Sequence, residues 1–243
     1  MKPLDKSCHV WGRGMVSILL FMAGLAANYS EADTPELVYP KTITALQNRY
    51  VDEVTAHQKY NAYAQRALKE SYPNIAHLFR SLAASEAVHA RNFKKLLLDL
   101  GVEVKLPEKL DYKVASTKAN IRHATTVEAN EIDRKYPAIL ESISSENHGY
   151  AIRFITYAWK AEKQHRELIH KIRKASKRFF GIVAERIEGE PTRYYVCQVC
   201  GSTLTELPAK ICPICEHAAS EYEEVPGYPG NAKPEDPFED ENQ

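Results

Sequence analysis

The sequence predicts an all-α four-helix bundle followed by a small metal-organised module. Three observations carry this. Apolar residues recur at three- and four-residue steps over four stretches of roughly 30 residues each. Glycine is sparse before the C-terminal part, which favours long helices over a β-rich fold. Four cysteines, at 197, 200, 212 and 215, form two Cys-x-x-Cys pairs near the end of the chain.

The first segment, residues 1–27, has the pattern of a secretory signal peptide. Lys2, Lys6 and Arg13 precede an uncharged run from Met15 to Ala27, and Gly24, Ala26 and Ala27 offer a small-residue cleavage site. The run falls short of the ~20 apolar residues that span a bilayer, so no stable membrane span is expected. An exported, periplasmic protein is the expectation, with a cytoplasmic one as the alternative. Cys8 precedes the apolar run, so it reads as an incidental leader residue rather than a lipid-bearing cysteine.

The bundle is expected over residues 40–180. Its first helix runs from about Lys41 to Glu70, on a stripe including Leu46, Tyr50, Val54 and Tyr60. Pro73 suits a helix start, and Gly101 suits the stop of a second helix. Residues 102–114, with Pro107, read as a crossover. Ser116 can cap a third helix, which Pro137 should bend. Asn147, His148 and Gly149 mark a turn before a fourth helix, from about Tyr150 to Phe179. Two short turns and one crossover suit a ferritin-like bundle. Gly189, Glu190 and Pro191 form a linker, residues 192–225 a cysteine-bearing module, and residues 226–243 an acidic, proline-containing tail expected to be disordered.

Charge is balanced over the 243 residues, with 32 basic and 32 acidic side chains. That argues against a nucleic-acid-binding surface. The informative charges lie on the apolar stripes. The second helix holds Glu86-Ala-Val-His89 and the fourth Glu162-Lys-Gln-His165. Residues three apart on a helix share a face. One Glu-x-x-His arises easily by chance; two on alternate long helices, each in an apolar setting, do not. An unpaired carboxylate on a buried stripe is costly. The first helix offers Glu53, and the third Glu128 and Glu131. One Glu from each of two helices plus Glu-x-x-His from each of the others matches the known ferritin-like di-iron pattern. Carboxylates neutralise and bridge two divalent ions, and imidazole suits iron.

Cys197-Gln-Val-Cys200 and Cys212-Pro-Ile-Cys215 form two knuckles separated by eleven residues. They can present four thiolates tetrahedrally, to zinc or to iron, and spacing does not decide between these. A module this small needs the metal to fold. His217 reads as a surface residue, not a fifth ligand.

Glu53 with Ala56 and Tyr60, the Glu86/His89 pair, Glu128/Glu131 followed by Tyr136-Pro137, and Ala161-Glu162-x-x-His165 together resemble the rubrerythrin family over roughly residues 40–216. Tyr194, Tyr195 and Cys212-Pro213 resemble its C-terminal rubredoxin-like domain. Asp52-Glu53-Val54-Thr55 departs from the family's glycine-containing segment, which puts the surroundings of Glu53 in question. The resemblance implies a non-haem di-iron peroxidase that reduces hydrogen peroxide to water, with electrons relayed through an Fe(Cys)4 centre. It implies two irons in the bundle and one iron (alternatively zinc) at Cys197, Cys200, Cys212 and Cys215. It makes Glu131 a seventh ligand that exchanges with His89, and places Tyr60 and Tyr136 beside the site. It also implies an antiparallel homodimer, with each small domain near the partner's di-iron site. An electron-donor protein, a rubredoxin or an NAD(P)H-linked reductase, is implied as well. Two alternatives stand beside this reading: a ferritin-like iron-oxidising or storage protein, and a non-enzymatic metal-binding protein with a zinc ribbon.

Overall fold

A computed structural model describes residues 38–176 and 192–227. The leader, Cys8, the linker at Gly189–Pro191 and the tail from 228 onward lie outside the described residues. Four helical rods and a small sheet follow in chain order: α1 Pro40–Lys69, α2 Pro73–Asp99, a third rod made of α3 Thr117–Asn130 and α4 Tyr136–Ile143, and α5 Gly149–Ser176. Strands β1 Tyr195–Cys197, β2 Thr203–Leu204 and β3 Tyr222–Glu224 come last. The fold is thus mostly helical with a C-terminal four-cysteine unit. Among the described residues no helix is long and apolar enough to cross a membrane.

The rods begin and end for local reasons. α1 has no capping side chain at Tyr39 but has Pro at its start. Its free N–H groups at Lys41 and Thr42 each donate to Glu146 at 2.8 Å, so the far end of the third rod caps the first. α2 ends where Gly101 takes φ +71°. Gly101 N–H then donates to the Leu98 carbonyl and Val102 N–H to the Leu97 carbonyl, both at 2.9 Å, closing a Schellman turn. Ser116 caps α3 by accepting from Ala119 N–H.

The expected disturbance near Pro137 is a π-helical turn over Glu131–Lys135. Tyr136 N–H donates to the Glu131 carbonyl, five residues back. In that widened register Pro137 would serve Ile132 but has no N–H. The Ile132 carbonyl instead accepts from the Trp159 indole of α5 at 2.9 Å. The wide turn therefore follows from one missing donor and is secured by one indole.

Two apolar clusters fill the bundle. One includes Tyr60, Phe79, Leu82, Ile121 and Ile169; the other includes Leu46, Val54, Phe93, Ile143 and Ile155. On the second and third rods, His89 and Glu128 fall between residues of these two clusters. The small sheet has order β2-β1-β3, all antiparallel. It packs directly on the bundle: Ala161 of α5 shares an apolar cluster with the four cysteines, Ile214 and Tyr222. His77 of α2 donates from Nε2 to the Val225 carbonyl at 2.8 Å and meets the Tyr194 ring edge-on.

Candidate metal centre

Helical spacing aims ligand atoms from α1, α2, α3 and α5 at one buried spot. Two overlapping groups form there. Glu53, Glu86, His89 and Glu162 bring ligand atoms within 4.8 Å of one another, and so do Glu86, Glu128, Glu162 and His165. Glu86 and Glu162 belong to both groups, as bridging carboxylates between two ions would. All six residues are buried, none more than 4% exposed.

The electrostatics show what is missing. Glu86, Glu128 and Glu162 are all pushed well above the ordinary carboxylate range, by burial first and then by one another and Glu53. Glu128 Oε2 is buried with no hydrogen-bond partner among the described residues. Burial also pushes His165 down to about 4, so its imidazole is neutral and fit to bind a metal. Oxygen and neutral nitrogen donors, crowded and short of positive charge, fit a pair of divalent ions.

Each histidine points Nδ1 at the carboxylates and Nε2 outward. His89 Nδ1 lies 3.0 Å from Glu86 and His165 Nδ1 lies 3.0 Å from Glu162. Tyr60 donates to Glu128 Oε1 at 2.5 Å, and Tyr136 donates to Glu53 Oε1 at 2.9 Å. Burial, then the adjacent carboxylates, raises both phenols well above their usual value, so both remain donors. A cavity of about 170 Å³ opens onto Glu53, Glu86, Glu128 and Glu162. That is room for several water-sized molecules.

Glu131, expected to exchange with His89 as a ligand, lies outside both groups, while His89 lies inside one. Its Oε2 accepts from Arg49 Nη1 at 2.7 Å and its Oε1 from Lys135 Nζ at 2.5 Å. Burial works against its charge, but Arg49 and Lys135 outweigh it and hold Glu131 below the ordinary carboxylate value. Sequence reasoning passed over Arg49 and Lys135. The available signal was an arginine one turn before Glu53 on the same buried stripe.

The four thiols form the second site. Cys197 and Cys215 sulfurs are 3.7 Å apart and those of Cys200 and Cys212 are 3.6 Å apart. A disulfide needs about 2.05 Å. Tetrahedral metal–sulfur bonds of about 2.3 Å put sulfurs roughly 3.8 Å apart. The separations therefore fit a metal. Ile214 N–H and Tyr222 hydroxyl donate to Cys212 Sγ. His217 is exposed and turned to the Cys215 carbonyl, away from the sulfurs.

Within this chain the two sites meet. His89 Nε2 donates to the Cys200 carbonyl at 3.2 Å, and Ser85 donates to the Gly201 carbonyl at 2.5 Å. His165 Nε2 lies 3.3 Å from Thr203 Oγ1. Gln164, between Glu162 and His165, accepts from Ser202 Oγ and Thr203 N–H, both at 3.0 Å. Gly201, at φ +77°, leaves no space for a side chain: a Cβ there would stand 2.3 Å from His89 Nε2.

Comparison with known proteins agrees with this geometry. A family model described as Rubrerythrin matches residues 45–173. Rubrerythrin-2 of Clostridium acetobutylicum is 29% identical over 174 residues, covering 72% of this chain and 91% of that protein. Nigerythrin of Nitratidesulfovibrio vulgaris is 24% identical over 190 residues, covering 78% and 89%. The solved structure of fully reduced, all-ferrous nigerythrin superposes with TM-score 0.63 at 24% identity, over 76% of this chain and 86% of that one. That superposition speaks for the fold.

Proposed function

Because the chain belongs to the rubrerythrin family of di-iron oxidative-stress proteins, we propose that it is an oxidoreductase that reduces hydrogen peroxide to water. The observation that carries this reading is the pair of buried ligand groups sharing Glu86 and Glu162, joined to a four-thiolate site through His89 and Cys200. Two irons held by Glu53, Glu86, His89, Glu128, Glu162 and His165, and one held by the four cysteines, would supply two electrons to peroxide and restore them singly. The balance is one peroxide, two electrons and two protons to two waters.

The protein's own groups set the conditions for that chemistry. Burial of the carboxylates disfavours their charge until metal neutralises it, so the site is built for cations. Tyr60 and Tyr136 each fix one carboxylate oxygen by donating to it. The cavity, lined from α1, α2, α3 and α5, admits a molecule the size of peroxide. His89 Nε2 and the Cys200 carbonyl link a residue of one ligand set directly to a residue of the other. An iron-storage role would leave the docked cysteine module without a purpose. An electron-donor protein would reduce the thiolate centre.

The test is the metal content and visible spectrum of anaerobically purified full-length protein, followed by one addition of peroxide. About three irons per chain and consumption of about one peroxide per reduced carboxylate pair are expected. A colourless zinc protein that leaves peroxide untouched would overturn the reading.

A further inference from the structure

We propose that Ser85, Arg91 and Asn92 of α2 are positioning residues for the thiolate centre: by donating to carbonyls of the first cysteine knuckle they strengthen its N–H···S bonds and raise the reduction potential of iron held there. The inference rests on the proposed iron occupancy of the four cysteines and goes beyond it to side chains outside both ligand sets.

Ser85, His89 and Asn92 follow one another at four- and three-residue steps, so one face of α2 carries all three. That face meets the first knuckle carbonyl by carbonyl. Ser85 Oγ donates to the Gly201 carbonyl at 2.5 Å, His89 Nε2 to that of Cys200 at 3.2 Å and Asn92 Nδ2 to that of Val199 at 2.9 Å. Arg91, at the exposed edge of the helix, donates from Nη2 to the Gln198 carbonyl. The consecutive carbonyls of residues 198–201 are thus all bonded to one helix.

The other ends of these peptide groups decide what the bonds do. Each carbonyl shares a planar amide with the next residue's N–H. The Val199 and Cys200 N–H groups hydrogen-bond the Cys197 sulfur, and the Ser202 N–H hydrogen-bonds the Cys200 sulfur. Arg91, Asn92 and Ser85 therefore each hold the far end of a peptide whose near end bonds a thiolate. His89 differs, because the Gly201 N–H on its peptide donates to the Cys197 carbonyl at 2.9 Å. Donation to a carbonyl polarises the amide and strengthens the bond its N–H makes, by roughly 10–30%. Ser85, Cys197, Cys200 and Ser202 are fully buried, so water does not weaken the effect there. A four-thiolate site carries one more negative charge when its iron is reduced. Stronger N–H···S bonds favour that form, and hydrogen bonds to sulfur are one of the controls on the potential of thiolate-held iron. By linkage, reduction then favours the docked seam by the same factor.

The experiment uses full-length protein reconstituted with iron or with zinc. Spectroelectrochemistry of the visible thiolate bands gives the potential of the iron form. Ser85→Ala, Asn92→Leu and Arg91→Met should each shift the equilibrium about twofold toward ferric. The triple variant should shift it about tenfold, to a potential ~59 mV lower. Arg91→Lys, which keeps a charged donor, should recover most of the Arg91 effect. In the zinc form, backbone amide proton shifts locate the cause. The Ser202 amide should move upfield in Ser85→Ala, the Cys200 amide in Asn92→Leu and the Val199 amide in Arg91→Met. Ser85→Ala leaves the other three donors of α2 in place, so its result does not depend on losing the docked module. Lys95→Met removes an exposed cation one turn beyond Arg91 and should change neither readout. An unchanged potential in the triple variant, or amide shifts that do not follow this pairing, would overturn the proposal. So would an equal shift in Lys95→Met, because general charge would then be the cause. A cysteine module that takes up zinc but no iron would instead overturn the iron reading, and the proposal with it.

Discussion

Gly201→Ala probes the seam between the two sites. The added Cβ would lie 2.3 Å from His89 Nε2, 2.7 Å from His89 Cδ2 and 2.8 Å from Ser85 Oγ. Ordinary contact is about 3.5 Å, so the seam must open by more than ~1 Å at His89. The left-handed backbone at φ +77° adds a cost of about 1–2 kcal/mol for alanine. Overpacking typically costs about 1–3 kcal/mol. The sum is roughly 2–5 kcal/mol. Tetrahedral metal binding stabilises a small thiolate module by more than that, on the order of 10 kcal/mol. The module should therefore stay folded and the docking contact should yield. The bonds from His89 to the Cys200 carbonyl and from Ser85 to the Gly201 carbonyl should be lost. The assay pairs stopped-flow oxidation of a pre-reduced protein by one peroxide with the rate of electron return from the thiolate centre. The first step should stay close to native and the second should slow markedly. Native rates for both steps, with the module shown to be metal-loaded, would refute the view that this seam couples the sites.

Further expectations follow from the ligand set. Glu86→Ala or Glu162→Ala removes a carboxylate shared by both groups, so metal affinity at the bundle should fall by at least the ~10–100-fold seen for loss of an outer partner. Metal analysis after desalting checks this, and full occupancy in both variants would contradict the assignment. In the metal-free chain Glu86, Glu128 and Glu162 have folded-state pKa values above their unfolded value of about 4.3, so the folded state holds extra protons. Their contribution to stability is complete below that value and is lost as pH rises through the folded values. His165, at about 4 when folded, works in the opposite sense, as do His77 and His123, also held down by burial, but only up to about pH 6.5. The metal-free protein should thus melt lower at about pH 8 than at about pH 5.5, with a shallower dependence in Glu128→Gln. A native melting temperature that rises over this window would contradict the account.

Much of the fold was legible because its signals are local. Gly101, Ser116 and Pro73 sit where helices stop or start, and the apolar stripes continue through each rod. The two Glu-x-x-His pairs and the Cys-x-x-Cys knuckles need only chain spacing to be read. What stayed hidden depends on partners distant in sequence. The cap on α1 comes from Glu146, more than a hundred residues away. Pro137 forecast a disturbance, but the π-turn depends on Trp159 taking the Ile132 carbonyl. Glu131 had the right helical phase for a ligand, yet phase does not reveal that Arg49 on another rod holds it. Cysteine spacing likewise does not reveal that the missing side chain of Gly201 lets the module reach His89.

Zinc substitution at Cys197, Cys200, Cys212 and Cys215 tests most directly whether the two sites work as one redox unit. Zinc keeps tetrahedral thiolate geometry and has no redox chemistry. The substituted, pre-reduced protein should still consume one peroxide in a stopped-flow experiment, because the bundle residues are untouched. Steady-state turnover with an external electron donor should fall sharply. Turnover equal to that of the iron-containing protein would contradict the relay and leave the cysteine module a structural unit.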